Sequence, residues 1–94
     1  MSGKVFLDGY MAVPPDRAAA VTRALPDHIA LTRAEPGCLA FDVAVDPSDP
    51  SRVLVSEVFV DRAAFEAHQA RAKTSAWAEV TAGLDRHYAV RDET

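Results

Sequence analysis

A helix stop, a tight turn and a strand start lie within seven residues of this chain, Arg-Ala-Glu-Pro-Gly-Cys-Leu at positions 33–39. Pro36 cannot continue a helix because its ring removes the backbone donor, and Gly37 readily adopts the dihedral angles of a turn. Residues 38–46 then alternate in polarity, which is typical of a strand. The junction therefore predicts a helix before residue 35 and a strand after it.

Periodicity on both sides of this junction predicts the other elements. Strands are expected at residues 4–13, 38–46, 52–60 and 87–90, and helices at residues 14–34, at 62–71 and from Ser75 towards Leu84. Asp61 and Ser75 are expected to be N-caps. Pro26 falls inside the first helix, so a kink or a short break is expected there. Residues 91–94 are expected to be a frayed tail.

This order of elements predicts an α+β, ferredoxin-like βαββαβ fold, with an antiparallel sheet and helices on one of its faces. The 94 residues allow one domain, with a core of about residues 4–90. The first and third strands carry apolar side chains on both faces, so the face away from the helices needs a cover. A second copy of the chain, packed sheet to sheet, is the simplest cover.

Charge and composition exclude several classes of protein. The net charge is −4 and the basic residues are scattered, which argues against nucleic acid and against anionic membrane surfaces. No apolar run approaches the roughly 18 residues of a membrane span, and the first residues lack a signal peptide, so a cytoplasmic protein is expected. The single cysteine, Cys38, is expected to be a small buried strand residue, with a nucleophile as the alternative.

His68 and Glu57 are the candidate catalytic residues. His68 shares a helix side with Phe65 and is expected to point inwards, where an imidazole can transfer protons near neutral pH. Glu57 interrupts an apolar strand face, and a buried carboxyl group must be paired or have its pKa raised. If they meet, they form an acid–base pair or a contact that orients the histidine. The alternatives are a core histidine with one hydrogen bond and a glutamate that pairs with a backbone amide or an arginine.

Four further residues are candidates for the wall of an apolar substrate pocket: Trp77, Tyr10, Phe65 and His28. The indole N–H of Trp77 could donate to a carbonyl substrate, whereas the alternative is a core or interface position. The three histidines lie far apart in the sequence and the four glycines do not cluster. No metal site, phosphate loop or cofactor site is therefore expected.

Three segments in order resemble the antibiotic biosynthesis monooxygenase domain family. They are residues 32–39 leading into Phe41-Asp42-Val43, then Asp49-Pro50 followed by residues 56–61, and finally residues 64–68, Ala-Phe-Glu-Ala-His. The resemblance covers about residues 4–90. It implies a dimeric α/β barrel, in which the sheets of two protomers pack face to face to form a homodimer.

The resemblance also implies an oxidoreductase that uses no cofactor, a monooxygenase of small phenolic or quinol-like substrates. His68 would be the base, Glu57 its partner and Trp77 a pocket wall. Haem-degrading members rely on an asparagine in the first strand and polyketide-type members also use one, but this chain contains no asparagine. The alternatives are an isomerase of a small carbonyl compound that uses the same pair, and a non-catalytic dimeric binding protein.

Overall fold

The computed structural model describes residues 3–93 of the chain. Four strands and three helices follow one another in this order: β1 (Val5–Ala12), α1 (Pro15–Arg33), β2 (Cys38–Asp46), β3 (Asp49–Phe59), α2 (Arg62–Ala72), α3 (Ala76–Val80) and β4 (Arg86–Asp92). The strands form one antiparallel sheet in the order β2-β3-β1-β4. This is the predicted α+β, ferredoxin-like fold, which the structure confirms.

The core lies between the sheet and the helices. Alternation along β1 directs Val5, Leu7 and Met11 into this layer, and Phe59 of β3 is fully buried within it. The same alternation turns Tyr10 and its neighbours on that side of β1 towards the face that no helix of this chain covers. The side chains that matter for a site inside the fold are therefore the odd-numbered ones of β1 and β3.

Local signals position the two helices that follow β3. The Asp61 carboxylate accepts a hydrogen bond from the Ala64 backbone N–H at 2.8 Å, so it caps α2 as predicted. Ser75 caps α3 in the same way, with its hydroxyl oxygen 3.3 Å from the Ala78 nitrogen. Because α2 begins at this fixed point directly after β3, His68 falls on the side of the helix that faces the sheet.

The structure differs from the prediction inside one helix and at the ends of two other elements. Helix α1 runs through Pro26 without a break, because its buried face, which includes Val21 and His28, continues on both sides of the proline. Helix α3 ends at Val80. Strand β4 extends to Asp92 because it pairs with β1 as far as Val5, so the first two residues of the expected tail belong to the sheet. Thr94 lies outside the described residues.

The helices have a further property that concerns membranes. Among residues 3–93, no helix combines the length and the apolar character that crossing a bilayer would need.

Candidate functional site

A cavity of about 220 Å³ lies between the sheet and the helices. Strands and helices both contribute to its wall: Leu7 from β1, Glu57 from β3, Tyr88 from β4, His28 from α1, His68 from α2 and Trp77 from α3. The wall is more polar than the apolar pocket expected from the sequence, because Gln69, Lys73, Thr81 and Arg86 also line it.

His68 is held from two sides by carboxyl groups. Its ring is only 4% exposed, and Nδ1 lies 3.1 and 3.2 Å from the two carboxylate oxygens of Glu35. On the other side, Nε2 lies 3.8 Å from Oε1 of Glu57. An ionised carboxylate can only accept hydrogen bonds, so Nδ1 of a neutral His68 carries the hydrogen and donates it to Glu35. The lone pair of Nε2 then faces Glu57.

Glu57 occupies the centre of the sheet on its helix-facing side. It pairs with Leu7 of β1 and with Phe41 of β2, so its carboxyl group has apolar neighbours on both adjacent strands. Burial, together with the smaller effects of the negative charges of Glu35 and Asp8, raises the pKa of Glu57 from 4.5 to about 7. Among the described residues, Oε1 has no hydrogen-bond partner. This carboxyl group can therefore gain or lose a proton near neutral pH.

His28 and Trp77 form a flat aromatic stack in the cavity wall. Their ring centroids lie 4.5 Å apart, with an angle of 5° between the ring planes. Burial, together with smaller electrostatic effects of His68 and Arg71, lowers the pKa of His28 from 6.5 to about 4. His28 is therefore neutral at physiological pH. Its Nδ1 is buried and makes no hydrogen bond within the part of the chain that the structure describes.

Two residues expected in the pocket lie elsewhere. Tyr10 is on the opposite face of the sheet, where its ring stacks on that of His87 at 4.7 Å, because residue 10 alternates with the inward-facing Met11. Phe65 is in the core and packs against Phe59 at a centroid distance of 5.8 Å, one turn of α2 before His68. The predictions of a pocket role for Tyr10 and Phe65 therefore disagree with the position of this cavity.

Glu35 and Arg71 complete the site, and sequence reasoning did not single them out. The Arg71 side chain donates through Nε to the Glu35 carboxylate and through Nη2 to the Thr32 hydroxyl at 3.0 Å. Two features of the sequence could have identified Glu35 and Arg71 as candidates. Glu35 directly precedes the Pro36-Gly37 turn, and Arg71 follows His68 by three residues, which places both on one helix side.

Cys38 and metal-binding groups add little to this site. Cys38 is half-buried at the start of β2, and burial raises the pKa of its thiol, with the charges of Glu35 and Glu57 adding to the effect. A thiol with a raised pKa is a poor nucleophile. Within residues 3–93, no three metal-ligating side chains cluster closely enough to hold an ion.

Comparison with known proteins connects this geometry to a family. The family model described as antibiotic biosynthesis monooxygenase matches residues 5–80, which is most of the chain. The chain belongs to the antibiotic biosynthesis monooxygenase family. The match includes His68 and Glu57 as well as His28 and Trp77, so the cavity wall lies in the matched region except for Thr81 and the β4 side. No curated protein matches the chain.

Solved structures show the antibiotic biosynthesis monooxygenase fold over nearly the full chain. A candidate antibiotic biosynthesis monooxygenase from Nitrosomonas europaea is 22% identical, with a TM-score of 0.79 and coverage of 99% of this chain and 92% of that one. One from Caulobacter crescentus is 19% identical, with a TM-score of 0.77 and coverage of 99% and 92%. A Pseudomonas aeruginosa protein is 29% identical, with a TM-score of 0.73 and coverage of 99% and 94%.

Proposed function

We propose that this protein is a cofactor-independent monooxygenase that acts on a small, single-ring phenol or quinol. The observation that carries the proposal is the buried Glu57–His68 pair, 3.8 Å apart in a cavity wall, in which the carboxyl group has a pKa of about 7. Such a pair can remove a proton near neutral pH and hold it during the reaction.

The cavity volume favours a single aromatic ring. An apolar cavity of about 150 Å³ accommodates benzene in an engineered protein, so a cavity of about 220 Å³ suits one ring with small substituents. The Trp77 indole supplies an aromatic wall against which such a ring can lie. Fused polycyclic substrates would need a larger space than this chain encloses.

The proposed chemistry begins with removal of a phenolic proton. The Nε2 lone pair of His68 accepts this proton, and the ionisable Glu57 beside it can take it up or stabilise the resulting imidazolium. The ring anion is electron-rich and reacts with dioxygen at a ring carbon. For a hydroquinone the balance is one hydroquinone and one O₂ giving one hydroxyquinone and one water, so the substrate supplies all the electrons.

One observation favours an isomerase as the second candidate. Gln69, Lys73 and Arg86 give one part of the cavity wall a polar, cationic character, which suits a small carbonyl compound better than a bare ring. The same Glu57–His68 pair could then move a proton between two carbon atoms without consuming oxygen.

Oxygen uptake with a panel of substituted hydroquinones tests the proposal. We expect turnover by the wild type and a loss of at least about 100-fold in His68→Asn, since general-base catalysis contributes roughly that much or more. His87→Asn is the matched control, because His87 lies on the opposite face of the sheet, where it stacks on Tyr10, and does not line the cavity. Full activity in both His68→Asn and Glu57→Gln would contradict the catalytic roles.

Solvent deuterium entering a carbonyl substrate without oxygen uptake would favour the isomerase, and ligand binding with neither reaction would indicate a binding protein.

A homodimer is part of this proposal. The face of the sheet away from the helices carries Phe6 and Val58, which are partly buried, and Leu54, which is 41% exposed. The Arg91 guanidinium lies over the Phe6 ring, and no helix among the described residues covers this face. Burying apolar surface of this kind favours association. We expect Leu54→Glu to shift a dimer towards monomers in sedimentation equilibrium. Leu31→Glu, at an exposed helix position, should leave the dimer intact, and equal effects of the two variants would argue against this interface.

A further inference from the structure

A chain of hydrogen bonds links the end of α1 to the candidate base. Glu35 lies just beyond α1, and its carboxylate reaches Nδ1 of His68 on α2 at 3.1 Å. Arg71, one turn further along α2, donates to the same carboxylate and to the fully buried Thr32. The Glu35 side chain is 17% exposed, so the carboxylate is largely removed from water and takes its partners from the protein.

For a neutral His68, the donors and acceptors in this chain allow only one arrangement. Arg71 can only donate, because its guanidinium stays protonated at any ordinary pH. The Glu35 carboxylate can only accept, so it satisfies Arg71 and Nδ1–H of His68 together. A neutral His68 then has no hydrogen on Nε2, which faces Glu57 at 3.8 Å. The tautomer of the histidine is thus set by a residue that does not line the cavity.

Charge supports the same arrangement. The positive charge of Arg71 offsets the negative charge of Glu35, so the pair brings no net charge into the half-buried space between α1 and α2. The Glu35 charge also raises the pKa of Glu57, after burial itself. Near neutral pH, Glu57 thus holds a proton for much of the time, so its charge does not require a hydrogen on the facing Nε2.

We propose that Glu35, anchored by Arg71, is a positioning residue that fixes His68 as the Nδ1–H tautomer and leaves Nε2 free to accept the substrate proton. The part of this inference that concerns turnover rests on the proposed function. The part that concerns the tautomer does not, because the tautomer exists in the protein without substrate.

Nitrogen-15 NMR of the uniformly labelled protein measures this tautomer directly. We expect the neutral form of His68 in the wild type to show the pattern of a protonated Nδ1 and an unprotonated Nε2, with His68→Asn used to assign the signals. In Glu35→Gln, Arg71 still requires an acceptor and takes the amide oxygen. The amide NH₂ group then faces Nδ1, which must become the acceptor, so His68 is expected to change to the Nε2–H tautomer.

Two matched variants separate positioning from general damage to the fold. Glu35→Asp keeps a carboxylate and should restore the Nδ1–H tautomer at least in part. Thr32→Val removes one Arg71 contact but keeps the carboxylate, so it should leave the tautomer unchanged. A wild type in which His68 carries its hydrogen on Nε2 would overturn the proposal whether or not any variant folds. So would a folded Glu35→Gln variant with an unchanged tautomer.

Kinetics provide the separate test of the consequence. With a hydroquinone that the wild type oxidises, Glu35→Gln should lower kcat at least tenfold with little change in KM, because the substrate still meets the same cavity wall. A changed tautomer with unchanged kcat would overturn the positioning role. If the wild type oxidises no quinol at all, the proposed function fails, while the tautomer measurement still decides whether Glu35 fixes His68.

Discussion

Replacing Glu57 by Gln should change how the stability of the protein depends on pH. Glu57 binds its proton more tightly in the folded state, where its pKa is about 7, than in the unfolded state, where 4.5 is the ordinary value. Its contribution to stability is therefore complete below about pH 4.5 and is lost as the pH rises through 7. Each pH unit in this interval costs about 1.4 kcal/mol, which accumulates to about 3 kcal/mol.

His28 acts in the opposite direction over nearly the same interval. Its pKa is lowered from 6.5 to about 4 in the folded state, so its contribution is present above pH 6.5 and is lost as the pH falls through 4. The magnitude is also about 3 kcal/mol. Between about pH 4.5 and 6.5 the two effects oppose each other, so we expect the free energy of unfolding of the wild type to change little with pH in that range.

Glu57→Gln removes the pH-dependent contribution of Glu57 to stability and leaves that of His28. Its free energy of unfolding should rise by about 1.4 kcal/mol per pH unit between pH 5 and 6.5, because only His28 still titrates there with a large shift. The difference between variant and wild type should widen by about 3 kcal/mol from pH 4.5 to 7. Groups that titrate in both proteins cancel in this difference, which is therefore the quantity to measure.

Urea denaturation followed by circular dichroism, at one fixed protein concentration and at half-unit pH steps, supplies the measurement. Glu66→Gln is the matched control, since Glu66 is exposed on the outer side of α2 and should give a curve parallel to that of the wild type. Parallel curves for Glu57→Gln and the wild type would refute the reasoning, because they would mean that Glu57 titrates alike in the folded and unfolded states.

Three further substitutions test other parts of the structure by the same denaturation assay. Gly9→Ala should cost more than about 2 kcal/mol, because the new Cβ would lie 2.0 Å from the His87 carbonyl oxygen and β4 would have to move; a loss below 0.5 kcal/mol would contradict that contact. Asp61→Ala should cost about 1 kcal/mol through loss of the α2 cap, and an unchanged stability would show that the cap is dispensable. His28→Phe keeps a flat ring against Trp77 and should remove most of the loss of stability between pH 6.5 and 4, whereas an unchanged acid sensitivity would point to other groups.

Local patterns were sufficient to predict most of the fold. The Pro36-Gly37 turn, the alternation of β2 and β3 and the Asp61 cap each depend on neighbouring residues, and all three lie where the sequence placed them. The ends of β4 could not be predicted in this way. Strand β4 reaches Asp92 because β1 offers partners that far, and a partner that lies more than eighty residues away leaves no local signal.

The site was less predictable because it depends on distances between elements. Alternation alone indicated that Glu57 would face inwards, and helix phase indicated the same for His68, so their proximity followed from both patterns and the fold. Glu35 lies in a turn, where side-chain direction follows no period, and sequence reasoning overlooked it. Tyr10 was placed in the pocket although it shares a strand face with Asp8 rather than with Leu7, and the structure shows that face turned away from the cavity.

The stack of Trp77 on His28 also has an optical consequence. Trp77 is the single tryptophan of the chain, and its indole lies 4.5 Å from the imidazole in the wall of the cavity. Fluorescence excited at the long-wavelength edge of the indole absorption band therefore comes from this one position in the molecule. Charging of the imidazole quenches indole emission, and a ring entering the cavity changes the polarity around the indole, so the protein carries its own fluorescent reporter of occupancy and needs no added label.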